Sequence, residues 1–252
     1  MNNILIENKS NGVAVVTLNR PNVHNSFNKE LLNEFGVVLE KLKIDKSVRL
    51  LILTGAGEKS FSSGVDLKEL QNFTSIEDAR EFALLLEGTS EKLFNFPKPV
   101  ISAINGYALG GGLGYTAATD YRIIVENAKV GFPAIKLGAI LPVTCTLYLN
   151  SLIGLNNSRD LLFTGRMLNG TEAKEIGLAN KVVKKEDLMT EAMKVAEQIL
   201  EGNDMALLYT KRTINSLLSV DVESQKLYAA DNFAYLSQTK EWKERMNNFG
   251  KK

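Results

Sequence analysis

The chain has 252 residues, with 30 Lys and Arg against 29 Asp and Glu, one Cys and one His. A formal net charge of +1 leaves no field of one sign for nucleic acid or an anionic membrane. The lone Cys145 excludes an internal disulfide framework and fits a reducing compartment, and the lone His24 excludes a His-rich metal site. The opening MNNILIENKSNG lacks the basic-then-apolar order of a secretory leader, and no apolar run approaches ~18 residues, so a soluble cytoplasmic protein is expected.

Ile4 to Glu7 and Val13 to Leu18 read as strands joined by a turn at Asn11-Gly12. Asn19-Arg20-Pro21 breaks the second strand. Phe27 to Leu42 carries apolar residues at helical spacing, at Leu31, Leu32, Phe35, Val38, Leu39 and Leu42. Arg49 to Thr54 is a short apolar run, the pattern of a parallel strand covered on both faces, and Gly55-Ala56-Gly57 ends it. Phe61 to Leu67 is a tight segment running into a short helix, Leu67 to Gln71. Ile76 to Phe94 predicts a long helix with a stripe at Phe82, Leu85, Leu86 and Leu93, stopped by Pro97-Lys98-Pro99.

Tyr121 to Val125 predicts a strand, and residues 131–142 a loop crossing the site. Val143 to Ile153 predicts a helix ended by Gly154, with short helices at Ser158 to Phe163 and Thr171 to Ile176 and a strand at Lys181 to Val183. From Lys185 onward the pattern is helical: Leu188 to Leu200, Met205 to Leu218, Val222 to Leu236 and Lys240 to Phe249. The shift divides the chain into residues 1–185 and 186–252. Strands alternating with helices in the first part imply right-handed βαβ units and a mostly parallel sheet; the tail alone would be a helical appendage.

The chain is organised around Ile101 to Asp120, ISAINGYALGGGLGYTAATD. A buried strand over Pro99 to Ile104 reaches a turn at Asn105-Gly106. Gly110, Gly111 and Gly112 follow, then a small-residue helix over Leu113 to Thr119. Glycine lets a ligand or a second backbone approach, and a helix that starts on glycines presents bare N–H groups. Such a site holds a phosphate or a developing oxyanion; the alternative is that the glycines only allow tight packing.

The order and spacing of several further pieces resemble the crotonase, or enoyl-CoA hydratase/isomerase, family. They are Leu18-Asn19-Arg20-Pro21 with Asn25-Ser26-Phe27-Asn28, Phe61 to Leu67, Asn105 to Gly112, Ala118 to Ile123, Leu137-Gly138, Phe163-Thr164-Gly165, Ala173 to Asn180 and Lys243 to Met246. The resemblance implies an α/β fold, the crotonase (ClpP-like) spiral of ββα units with two sheets and a C-terminal helical trimerisation region. It implies a homotrimer or a hexamer built as a dimer of trimers. It also implies an acyl-CoA thioester substrate, with coenzyme A as part of that substrate and no separate cofactor or metal. By position, an oxyanion hole would come from the amides of Val65 and Gly111, and CoA contacts from Val23, Ser63, Gly64, Asp66, Leu67 and Gly110.

The same resemblance exposes a departure. The two water-activating glutamates of the hydratases would stand at Gly114 and Ala134, and a later acid used by other members at Pro142. None of these three residues moves a proton, so hydration should be weak and isomerase-type or other non-hydratase chemistry is favoured. A catalytically inactive acyl-CoA binder and a hydratase with a displaced acid are the alternatives. Glu87, in an apolar helical stretch, is the candidate acid/base; a solvated helix face or a salt bridge is the alternative. Glu91 is a weaker candidate. Thr144, Cys145 and Tyr115 can touch the acyl group or simply cap and pack, and His24 can meet the nucleotide or lie on plain surface. Asp66 and Asp120 suit backbone bonds, Glu69 follows the Phe61 to Leu67 segment, and Lys251 and Lys252 can reach a CoA phosphate or be solvated.

Overall fold

A computed structural model describes residues 2–9, 11–218 and 222–248. The chain runs β1 (Ile4–Asn8), β2 (Val13–Leu18), α1 (Lys29–Ile44), β3 (Leu50–Gly55), β4 (Ser60–Ser62), α2 (Leu67–Gln71), α3 (Ile76–Phe94), β5 (Val100–Ile104), β6 (Tyr107–Leu109) and α4 (Gly111–Ala117). It continues through β7 (Tyr121–Val125), β8 (Lys129–Gly131), α5 (Val143–Thr164), β9 (Met167–Leu168), α6 (Gly170–Glu175) and β10 (Lys181–Val183). The helices α7 (Leu188–Leu200), α8 (Asp204–Ser216), α9 (Val222–Gln238) and α10 (Lys240–Asn248) complete it.

The larger sheet has the order β1-β2-β3-β5-β7-β10. Only the β1–β2 hairpin is antiparallel; the other four pairings are parallel. Every residue of β3 and β5 is buried, which is why their sequences read as continuous apolar runs rather than alternations. A second sheet, β4-β6-β8-β9, stands beside it. Residue patterns placed none of its strands. They are two or three residues long, too short for a period of two to register.

Further details of the elements refine the residue reading; the glycine helix, for one, spans Gly111–Ala117 rather than Leu113 to Thr119. The first helix starts at Lys29 because Asn28 caps it, its side chain accepting from Leu31 N at 2.9 Å, while Phe27 forms a parallel bridge to Val65. The helix from Val143 ends at Gly154 as expected, and the short helix after it is numbered with it as α5. The chain bends there (φ 73°, ψ 165°) and the helix resumes through Ser158 to Thr164. The segment 131–142 holds a short 3-10 turn, Pro133–Leu137.

The C-terminal helices pack on the earlier part of the chain. α7 buries Leu188, Ala192, Val195 and Ala196 on the β3, β5 and β7 side. In α8, Lys211 Nζ bonds Asp120 Oδ2 at 2.7 Å, and Asn215 Nδ2 donates to Phe94 O at 3.0 Å. α9 lies along α3, with Phe233 6.1 Å from Phe73 and 5.8 Å from Trp242 of α10, ring centre to ring centre. Lys251 and Lys252 lie outside the described residues.

Candidate active site

β4 and β6 are parallel neighbours, and the chain leaving each arrives at the same place. Gly64 has φ +90°, and a Cβ on it would lie 2.6 Å from Leu109 O and 3.0 Å from Gly111 N. The two backbones touch only because no side chain separates them. Phe27 N donates to Gly64 O at 2.7 Å and Asp66 N donates to Phe27 O at 2.8 Å. Those bonds use the groups on either side of Val65, whose own N–H has no partner among the described residues. Gly111 is the first residue of α4, and the first intrahelical bond comes later, from Gly114 N to Gly110 O at 3.2 Å. Its N–H is therefore one of the orphans of a helix start.

Val65 and Gly111 both line a cavity of about 670 Å³, walled mostly by apolar side chains. Val23, Ser63, Asp66, Leu67 and Gly110 line it too; Gly64 is behind the wall. Asp66 bonds local backbone, as its position suggested, accepting from Lys68 N at 3.1 Å, and it pairs with Arg20 Nη1 at 2.9 Å. His24 is on the wall but exposed, with Nδ1 3.0 Å from Ser60 Oγ. Phe233 of α9 and Met246 of α10 close the cavity, so the C-terminal helices take part in the site. Among the described residues no group of three or more His, Cys, Asp or Glu side chains could hold a metal, and no helix is long and apolar enough to cross a membrane.

Glu87, on α3, also lines this cavity and is 2% exposed. It is not on a solvated face, and among the described residues it forms no salt bridge. Its Oε1 accepts from Val143 N at 2.6 Å, and its Oε2 from Thr144 N at 3.1 Å and from Thr144 Oγ1 at 2.6 Å. Pro142, at the cap position of α5, supplies no side-chain cap, so a carboxylate from another helix takes the first two amides. Burial pushes the Glu87 carboxyl above its ordinary value, against the pull of the Thr144 hydroxyl and the two amides. Glu91, one turn on, pairs with Lys226 of α9 at 2.6 Å.

Comparison with known proteins agrees with this architecture. A sequence profile described as enoyl-CoA hydratase/isomerase matches residues 8–252. The chain belongs to the enoyl-CoA hydratase/isomerase family. A crotonyl-CoA hydratase of Syntrophomonas wolfei is 38% identical over 98% of this chain and 94% of that protein. A short-chain-enoyl-CoA hydratase of Clostridium acetobutylicum is 36% identical over 99% and 95%. The crystal structure of an enoyl-CoA hydratase/isomerase from Mycobacterium paratuberculosis superposes with a TM-score of 0.91 at 27% identity, covering 99% of each chain. A monofunctional enoyl CoA isomerase from M. smegmatis superposes at 0.74 with 31% identity over 89% of this chain and 99% of that one.

This member of the enoyl-CoA hydratase/isomerase family fills the room beside α4 with a sulfur. A Cβ on Gly114 would lie 2.4 Å from Cys145 Sγ and 2.5 Å from Cys145 Cβ. Cys145 is fully buried, and burial, with Glu87 nearby, pushes its thiol up to about 12, so it stays protonated near neutrality. Ala134 and Pro142 are on the cavity wall. Tyr115 is core: its ring lies 4.6 Å from that of Phe27 and its hydroxyl donates to Leu86 O at 3.2 Å. Asp120 holds backbone, accepting from Val100 N at 2.7 Å. Sequence reading missed Ser90, whose Oγ lies 2.6 Å from Thr144 Oγ1. Its only signal was a place three residues after Glu87 on one helix.

Proposed function

We propose that this protein binds an acyl-CoA thioester and shifts a double bond along its acyl chain instead of adding water to it. Glu87 takes the C2 proton of a 3-enoyl thioester, and the electron pair moves onto the thioester oxygen. The Val65 and Gly111 amides hold that oxygen as it becomes negative, more strongly than they hold the neutral carbonyl. The carboxyl of Glu87 then returns the proton to C4, leaving the 2-enoyl thioester with no change in atoms. One acid suffices for this, whereas the water chemistry implied by the family resemblance needs acids at Gly114 and Ala134. The observation that carries the reading is the pairing of a buried cavity carboxylate, Glu87, with two partner-poor amides on one cavity. The hydratase names of the relatives belong to those relatives.

The test is turnover of crotonyl-, 3-enoyl- and malonyl-type thioesters by the purified protein. Isomerisation should exceed hydration, and Glu87→Gln should lower its kcat by ~10²–10⁴-fold. Crotonyl-CoA hydration at a normal rate would overturn the reading. Turnover untouched by Glu87→Gln would remove Glu87 from the reaction and leave the enzyme reading intact; turnover of the malonyl-type thioester alone would select decarboxylation, which needs mainly the amides to hold an enolate.

A second reading has its own support. Three donors on Glu87 are what a helix cap needs, with or without catalysis. Tight CoA binding with no turnover on any thioester would select an acyl-CoA-binding relative that kept the pocket.

A further inference from the structure

Three oxygen–oxygen contacts link the Glu87 carboxyl back to its own backbone. Glu87 Oε2 meets Thr144 Oγ1 at 2.6 Å, Thr144 Oγ1 meets Ser90 Oγ at 2.6 Å, and Ser90 Oγ meets Glu87 O at 2.9 Å. Each contact needs one hydrogen. The two hydroxyls supply two, so with Glu87 ionised one contact lacks a hydrogen of its own. Thr144 then donates to the carboxylate, and the Ser90 hydrogen is shared between Thr144 Oγ1 and Glu87 O. A proton on Oε2 supplies the third hydrogen. The carboxyl then donates to Thr144, Thr144 to Ser90 and Ser90 to the Glu87 carbonyl, while the Val143 and Thr144 amides keep their bonds. No heavy atom has to move.

We infer that Ser90 and Thr144 are positioning residues, a hydroxyl pair that rotates in step so that Glu87 is fully hydrogen-bonded both with and without its proton. This deepens the proposed role of Glu87 and rests on it for its catalytic meaning. A cap made of backbone amides alone would favour only the ionised form. The hydroxyl pair makes the carboxyl a group that can take a proton and give it back. The other titratable groups facing Glu87 are Lys226 of α9, Tyr115 of α4, and Cys145 and Tyr148 of α5, with Glu91 one turn along α3. Burial holds both phenols and the thiol protonated near neutrality, so the carboxyl is the member that titrates.

The two hydroxyls act with opposite sign, which makes the inference testable. Thr144→Val removes a charge-assisted donor to the ionised form, a larger loss than the neutral bond it takes from the protonated form. The Glu87 titration should move up by about one unit. Ser90→Ala leaves the Thr144 hydrogen without an acceptor only when Glu87 is protonated, so the titration should move down, by a little less than a unit. Thr144→Ser should restore the parent value. The readout is the protonated-carboxyl stretch in pH-difference infrared spectra of the full chain without substrate, assigned by its loss in Glu87→Gln.

Opposed shifts with rescue by Thr144→Ser support the inference. Shifts of one sign, unmoved midpoints or the absence of a Glu87 band that titrates overturn it. If Thr144→Val does not fold, the downward shift in Ser90→Ala decides alone. Because the spectra need no substrate, opposed shifts together with full activity of Glu87→Gln would sink the proposed reaction and leave this network standing.

Discussion

A Cβ placed on Gly114 would stand 2.4 Å from Cys145 Sγ, a distance that real carbon and sulfur atoms do not share. Gly114→Glu alone should therefore overpack the α4–α5 contact by ~1–3 kcal/mol. A lowered urea midpoint and no gain in crotonyl-CoA hydration are the expected outcomes. Joined with Cys145→Gly and Ala134→Glu, the same substitution has room, and hydration should become measurable. Glu87 makes a second prediction at this scale. Its carboxyl sits above the ordinary 4.5 because burial disfavours the charge. The folded chain therefore holds the proton to higher pH than the unfolded chain. The associated stability is complete below about 4.5 and is lost as pH rises through the folded value. Urea midpoints of the parent protein should fall across that window, and those of Glu87→Gln should fall less.

Among the elements, α5 supports the site from behind, without lining the cavity. Its first two amides hold the Glu87 carboxylate, Cys145 seats it on α4, and it bends at Gly154 before resuming. The Gly154 backbone (φ 73°, ψ 165°) lies where other residues are strained, yet a Cβ there would meet nothing within 4 Å. Gly154→Ala is thus a clean measure of backbone cost, and a loss of ~1–3 kcal/mol in urea unfolding is expected. A smaller loss would mean that the bend relaxes into continuous helix. The four short strands of the second sheet show why some elements escape sequence reading. A strand such as Tyr107–Leu109 exists because its neighbours Ser60–Ser62 and Lys129–Gly131 pair with it, not because of its own three residues.

For the whole molecule, the family resemblance implies that the helical region 186–252 supports a trimer or a dimer of trimers, and we retain that as a proposal. Exposed Leu155 and Phe163 (58% and 75%) offer apolar surface for an assembly to bury. Sedimentation equilibrium at micromolar protein should give three or six times the chain mass; a monomer would count against it. Within one chain, α9 and α10 already bring Phe233 and Met246 to the cavity, so the tail shapes that cavity as well.

Residue types and spacing alone gave an α/β chain with a mostly parallel sheet and most of its helices, and the order of its motifs carried the resemblance to the family, which in turn implied the two amides. The strands and helices rest on local rules: glycines where backbones must meet, apolar runs where strands are covered on both sides, prolines where helices stop. The family resemblance marked Gly114 and Ala134 as standing where hydratases carry their acids, and neither side chain can move a proton. Only the tertiary structure decided which groups the Glu87 carboxylate bonds. Its partners, Val143 and Thr144, lie more than fifty positions away, and no local pattern records a contact between two helices. The same holds for Cys145 against Gly114, because a close approach depends on how whole elements pack rather than on the residues beside either one.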